Sequence, residues 1–242
     1  MTILTACLAL FLAAIHLWVS RFRILATLPR NIWLSVAGGV AVAYVFLHIL
    51  PNLAAHQQTL ADGLSLAPKT ADALLFSVGL AGLTAFYGLE QVAHGPGHPD
   101  DPGRPRAGTF WIHIGAFALY NLLIGYLLVH PEDPGPAAVL MFSLAMALHF
   151  LSIDVDLRGH HKERYDHTAR WLLAGALLLG WLIGTVTDLP ETAVALLFAF
   201  LAGGVILNAL KEELPEDRKS SFVSFLAGAV GYSGLLIATT LL

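Results

Sequence analysis

Cysteine is almost absent. Cys7 stands alone, which excludes a disulfide framework, a four-cysteine zinc module and a C-x-x-C-H haem attachment. Charge is scarce as well, at 12% of residues against about 25% in a soluble domain. The chain has no H-E-x-x-H pair, no G-x-S-x-G elbow and no phosphate-cradling glycine loop. No nucleophile sits beside an activating base either, so an enzyme is not expected. No positively charged n-region precedes the first apolar run, which argues against a cleaved signal peptide. Nothing points to nucleic acid as a partner. Apolar residues dominate instead: 57% of the 242 residues are hydrophobic, and the mean hydropathy is +0.70. These values predict a protein solvated by lipid.

A helix needs roughly 20 apolar residues to cross the hydrocarbon core. Eight segments qualify, near 2–20, 32–52, 71–93, 108–130, 136–157, 169–188, 190–212 and 220–242. The expected fold is therefore an all-α membrane protein, one eight-span domain over 1–242. The odd connections hold Arg21, Arg23, Arg30, Arg104, Arg106, Arg158, Lys162, Arg164, Arg170, Lys211, Arg218 and Lys219, and the even ones hold Lys69 alone. By the positive-inside rule the odd connections are cytoplasmic and both termini lie outside. The outer loop over 51–70 is mixed in composition. A short cytoplasmic His/Pro/Gly loop over 94–107 separates spans three and four, and Asp188-Leu189-Pro190-Glu191 makes the turn between six and seven. Small residues at Gly38-Gly39, Gly203-Gly204, Gly228, Gly231 and Gly234 predict close helix packing.

Polar residues inside the spans narrow the search for function. His16 lies near the inner end of span one and His48 near the outer end of span two. Glu90 ends span three. His113 and Asn121 lie in span four, with Tyr120 beside Asn121; His149, Asp154 and Asp156 lie in span five, Asn208 in span seven and Glu212 at its inner end. Residues three, four and seven apart share a helix face, so His149, Ser152 and Asp156 form a stripe from mid-membrane to the cytoplasmic surface. The short acidic, proline-rich turn His130–Pro136 should make spans four and five antiparallel neighbours whose polar faces meet. Imidazole, carboxylate and amide oxygen together suit a borderline divalent metal such as Zn²⁺. Plainer explanations compete. An isolated His16 or His113 is more often hydrogen-bonded helix glue than a ligand, and Asp154, Asp156, Glu90 and Glu212 also suit helix ends in the headgroup region. The run Arg158–His167 reads equally as a cytoplasmic metal trap and as a solvated basic loop.

Several stretches together resemble the ZIP (Zrt/Irt-like) divalent-metal transporters. Span two ends Leu47-His48-Ile49-Leu50-Pro51-Asn52, similar to the family's H-L-L-P-E. Span three runs Phe86-Tyr87-Gly88-Leu89-Glu90-Gln91-Val92-Ala93-His94, similar to its F-x-x-x-E-x-x-x-H. Span seven ends Leu210-Lys211-Glu212-Glu213-Leu214-Pro215-Glu216, like its E-E-L-P-E. The resemblance implies an eight-span bundle with both termini outside, and a mid-membrane metal site built by H-N-x-P-E-G in span four and H-E-x-P-E-G in span five. Here those stretches read Tyr120-Asn121-Leu122-Leu123-Ile124-Gly125 and His149-Phe150-Leu151-Ser152-Ile153-Asp154. Of the metal-binding positions Asn121 and His149 survive, and the motif carboxylates and prolines are replaced. A cation in a low-dielectric core needs anionic ligands to offset dehydration, so Asp156 or Asp154 has to supply a displaced carboxylate.

The expected metal residues are thus His149, Asn121, Asp156, Asp154 and His48, the last near the outer entrance. The leading expectation is inward transport of a divalent metal, zinc first, by alternating access. The metal is then substrate, and no cofactor is required. The alternative is a ZIP-fold sensor, scaffold or partner subunit that has lost the site. A haem-binding electron carrier would need paired axial histidines, whereas His16, His48, His113 and His149 lie at different depths. A proton-linked carrier of another substrate is a further option. The expected partners are a divalent metal ion, the bilayer and a second copy in a homodimer; the expected location is a bacterial inner membrane.

Overall fold

The computed structural model describes residues 2–19, 30–93, 107–131, 135–211 and 221–240, and these are almost entirely helical, with no strand among them. The helices are α1 (Thr2–Trp18), α2 (Arg30–Tyr44), α3 (Leu50–Gly63), α4 (Pro68–Ala93), α5 (Ala107–Val129), α6 (Pro136–Arg164), α7 (Arg170–Val186), α8 (Glu191–Lys211) and α9 (Phe222–Thr240). Five helical stretches are long and apolar enough to cross a membrane: Ile32–Gly63, Pro68–Leu89, Pro136–Val155, Lys162–Val186 and Glu191–Leu210. Thr2–Trp18, Ile114–Val129 and Phe222–Ala238 are shorter apolar helices. Leu10, Phe11, Leu80, Leu182 and Val230 point outward from the bundle. Apolar faces of this kind suit lipid as the surrounding solvent.

Prolines set several boundaries. Pro68 opens α4 and Pro136 opens α6, where the missing N–H would have no partner in any case. Pro51 does something different. It cannot donate to the carbonyl four residues back, and the helix widens just before it into a π turn over Val45–Ile49 that joins α2 to α3. Helix therefore continues to Gly63, through much of the segment read above as a mixed loop over 51–70. It stops in a Schellman-type turn, with the Leu66 N–H donating to the Ala61 carbonyl at 2.9 Å. Ser65 takes the left-handed position there at φ 52°, which glycine usually occupies. A second π turn, Tyr165–Ala169, joins α6 to α7. The basic connection read above as a metal trap or a solvated loop is thus helical, and Arg158 within it forms a two-pronged pair with Asp166 at 2.8 and 3.0 Å.

Glycine decides which helices meet. A Cβ on Gly125 would strike the Leu177 carbonyl, and one on Gly180 the Leu122 carbonyl, so α5 lies backbone to backbone on α7. Gly39 and Gly228 do the same for α2 and α9, and Gly82 and Gly203 for α4 and α8. Gly231 and Gly234 have no such neighbour, so the packing role expected of them is not theirs. The expected face-to-face pairing of spans four and five gives way for the same reason: α5 packs principally on α7 and only lightly on α6. Two groups result. One holds α1, α5, α6 and α7; the other holds α2, α3, α4, α8 and α9, and α2–α6 and α4–α5 contacts join them.

Helix directions follow from the same contacts. Trp181 donates to Thr5 at 3.2 Å and Arg170 to the Leu17 carbonyl at 3.5 Å, so α1 and α7 are antiparallel. Leu122 lies against Gly180 and Val129 against Gly184, so α5 and α7 run the same way.

Candidate functional site

Within the first group, three polar side chains from three helices meet out of contact with the surroundings. His16 of α1 is 1% exposed, Asn121 of α5 is 2% and Asp154 of α6 is 0%. The His16 ring spans the other two, with Nδ1 2.8 Å from Asp154 Oδ2 and Nε2 2.8 Å from Asn121 Oδ1. Asn121 Nδ2 donates to the Phe117 carbonyl at 2.8 Å. That carbonyl only accepts, so it fixes which end of the amide faces His16. Asn121 Oδ1 therefore accepts, and His16 Nε2 must carry a proton. The short Nδ1···Oδ2 contact must then hold one more proton, on the ring or on the carboxyl. Either way the cluster is neutral as a whole, which is how a buried carboxylate and imidazole are tolerated where dielectric is low.

One atom stays outstanding. Asp154 Oδ1 is buried and has no hydrogen-bond partner among the described residues. The Tyr165 hydroxyl lies within hydrogen-bonding reach of this carboxyl as well as of the His16 carbonyl, which it meets at 3.2 Å. The bond to the His16 carbonyl anchors the second π turn to the C-terminal end of α1. A buried lone-pair oxygen left open is costly, and such exceptions mark places where something else binds or moves.

His149 flanks the cluster without joining it. It is 4% exposed, and its ring lies 5.7 Å from Tyr120 and 6.2 Å from Phe150. Phe150 in turn lies 4.5 Å from the His16 ring. The carboxylate that enters the bundle is Asp154, five residues beyond His149 and so on a different helix face. Asp156, expected to continue the His149 stripe, has its side chain outside the described residues, as do Glu90 and His113. The His94–Arg106 segment and Glu212 also lie outside them. His48 belongs to the other group, on the first π turn, where it stacks on Tyr44 at 5.0 Å. Of the five expected metal residues, then, the fold brings Asn121 and Asp154 together, holds His149 close by and keeps His48 apart. Among the described residues no three His, Cys, Asp or Glu side chains converge as a metal-holding group.

His16 is the residue the sequence reading undervalued. It is the one histidine of a helix that has no carboxylate, lysine or arginine, which is a signal. Its partners, however, lie 105 and 138 residues away, and helical periodicity cannot reach that far. No protein-family model, no curated protein and no solved structure matches this chain.

Proposed function

We propose that the chain is an eight-span membrane protein of ZIP-like architecture, with both termini outside, that carries a divalent cation into the cytoplasm of a bacterium across the inner membrane. The observation that carries this reading is the fully buried Asp154, whose Oδ1 is open while Oδ2 is neutralised by His16. Ionisable groups inside apolar spans commonly mark ion pathways. Carboxylate oxygen, imidazole nitrogen and the Asn121 amide make a mixed donor set that suits zinc. A cation bound there displaces the proton held between His16 and Asp154, since metal ligands must be deprotonated. The eight-span topology is supported by the antiparallel run of α1 against α7, by the parallel run of α5 with α7, and by the basic residues of the odd connections.

The test is zinc uptake into proteoliposomes by the wild type, Asp154→Asn and Asn121→Ala. Saturable uptake that both substitutions abolish is the expected result. No uptake of zinc, manganese, iron or cadmium by folded protein would overturn transport. Topology is checked with single cysteines at Leu64 and Arg218 in a Cys7→Ala background. An impermeant maleimide added to intact cells should label the first and spare the second.

One observation favours a second reading, a ZIP-fold protein that senses or scaffolds. His16 uses both ring nitrogens and Asn121 both ends of its amide, so these two side chains are already engaged in tying three helices together. Wild-type uptake indistinguishable from empty vesicles, together with a large stability loss on breaking the cluster, would select it.

A further inference from the structure

The helix group α1, α5, α6 and α7 has two ends of opposite charge. One holds the stretch 158–170, with Arg158, Lys162, Arg164 and Arg170 against Glu163 and Asp166. The connections that close the other end, 130–135 and 187–191, hold Glu132, Asp133, Asp188 and Glu191 and neither lysine nor arginine. At the basic end Asp166 spends both oxygens on Arg158, and Lys162 and Arg170 lie within electrostatic reach of that same carboxylate. One carboxylate therefore faces three cations.

Two arginines are left with donors to give. Arg164 stands over the Phe110 ring, 5.5 Å from its centroid, and Arg170 over Trp171 at 5.4 Å. Among the described residues neither has a carboxylate at ion-pairing distance. Arg170 gives one long bond, from Nη1 to the Leu17 carbonyl at 3.5 Å, so most of the five N–H donors of each guanidinium stay unspent on protein. Aromatic rings stand beside them. Trp18 at the end of α1, Trp111 near the start of α5 and Trp171 near the start of α7 are each about half exposed. Phe110 meets Trp111 edge-on at 5.3 Å and packs inward with Val19, Tyr165 and Leu173, which ties these helix ends into one surface. Half-exposed indoles gather where acyl chains give way to headgroups, and basic side chains at that level meet the phosphates.

We infer that this end of the bundle binds the headgroups of anionic phospholipids. Arg164 and Arg170 take the phosphodiester, and the upper acyl chains lie against the tryptophans. A guanidinium can meet phosphate oxygens through two parallel N–H···O bonds. A zwitterionic choline headgroup brings its own cation to a surface already rich in positive charge, so a net negative lipid is preferred. The surface asks only that the bundle stand in a bilayer, and it holds whether or not a cation is carried.

The test is native mass spectrometry of the full chain in detergent with equal amounts of phosphatidylglycerol and phosphatidylcholine, for the wild type, Arg164→Gln/Arg170→Gln and Lys69→Gln. Each basic side chain near an anionic headgroup is worth roughly fivefold in occupancy. The wild type should therefore favour phosphatidylglycerol by roughly fivefold or more, the double variant should lose the preference, and Lys69→Gln, remote from the patch, should keep it. Equal binding of both lipids by the wild type, or a preference that survives loss of both arginines, overturns the proposal. Displacement of the lipid by millimolar inorganic phosphate does so too, because the site would then serve a free anion. A second measurement needs no variant to fold: tryptophan fluorescence of the wild type in phosphatidylcholine vesicles doped with either lipid, brominated near the top of its acyl chains. At equal mole fraction brominated phosphatidylglycerol should quench more, and equal quenching by the two refutes the surface.

Discussion

Replacing His16 by leucine removes the one partner that neutralises Asp154. The pair is 1% and 0% exposed, so water cannot take over the role. Breaking a buried pair from one side costs about 3–5 kcal/mol, and the stranded Asn121 oxygen adds about 1–3 kcal/mol as an unmet buried acceptor. Asp154→Leu alone leaves a neutral imidazole short of one partner, a smaller loss of about 1–3 kcal/mol. The double variant has no stranded charge, and hydrophobic replacement of a whole buried pair is often near neutral. His16→Leu/Asp154→Leu should therefore be more stable than His16→Leu by about 2 kcal/mol or more, which is a strong coupling for a double-mutant cycle. The assay is reversible unfolding in mixed micelles, followed by tryptophan fluorescence across the four proteins. Additive losses would refute the reasoning, because they would mean that Asp154 and His16 do not neutralise each other in the folded bundle.

Gly180→Leu should destabilise by about 1–3 kcal/mol or more through overpacking, read as a lowered Tm, because the Leu122 carbonyl occupies the space its side chain needs. Gly234→Ala meets nothing within 4 Å and should stabilise α9 by about 0.5–1 kcal/mol in the same melt. Ser65→Gly should raise stability by about 1–2 kcal/mol by relieving the left-handed backbone, since Ser65 sits at φ 52°. Arg158→Ala breaks a pair whose side chains are 30% and 27% exposed. It should cost no more than about 1 kcal/mol, with the difference from wild type shrinking as salt is raised.

Much of the helix inventory was legible in the chain itself. The turn after Val186, the start of α6 at Pro136 and the length of α8 follow from proline and apolar run length, which are local properties. Two connections were misjudged. Residues 51–63 and 158–169 are polar enough to resemble loops, yet their helical hydrogen bonds are satisfied locally, by a π turn beside Pro51 and another at Tyr165. Composition alone does not register that continuity.

The sequence by itself determined an all-helical chain with long apolar helices and few polar groups within them, because hydropathy and helical hydrogen bonding act within one segment. It also marked Asn121 and His149 as residues whose burial demands partners, and left Asp154 between a displaced ligand and a helix end. Only the tertiary structure decided who the partners are. Glycine contacts at Gly125 and Gly180 seat α5 on α7 rather than on its neighbour in sequence, and that packing leaves α1 to bring His16 between Asn121 and Asp154. Such a choice rests on shape fit between helices more than a hundred residues apart, and no local pattern in the chain encodes it.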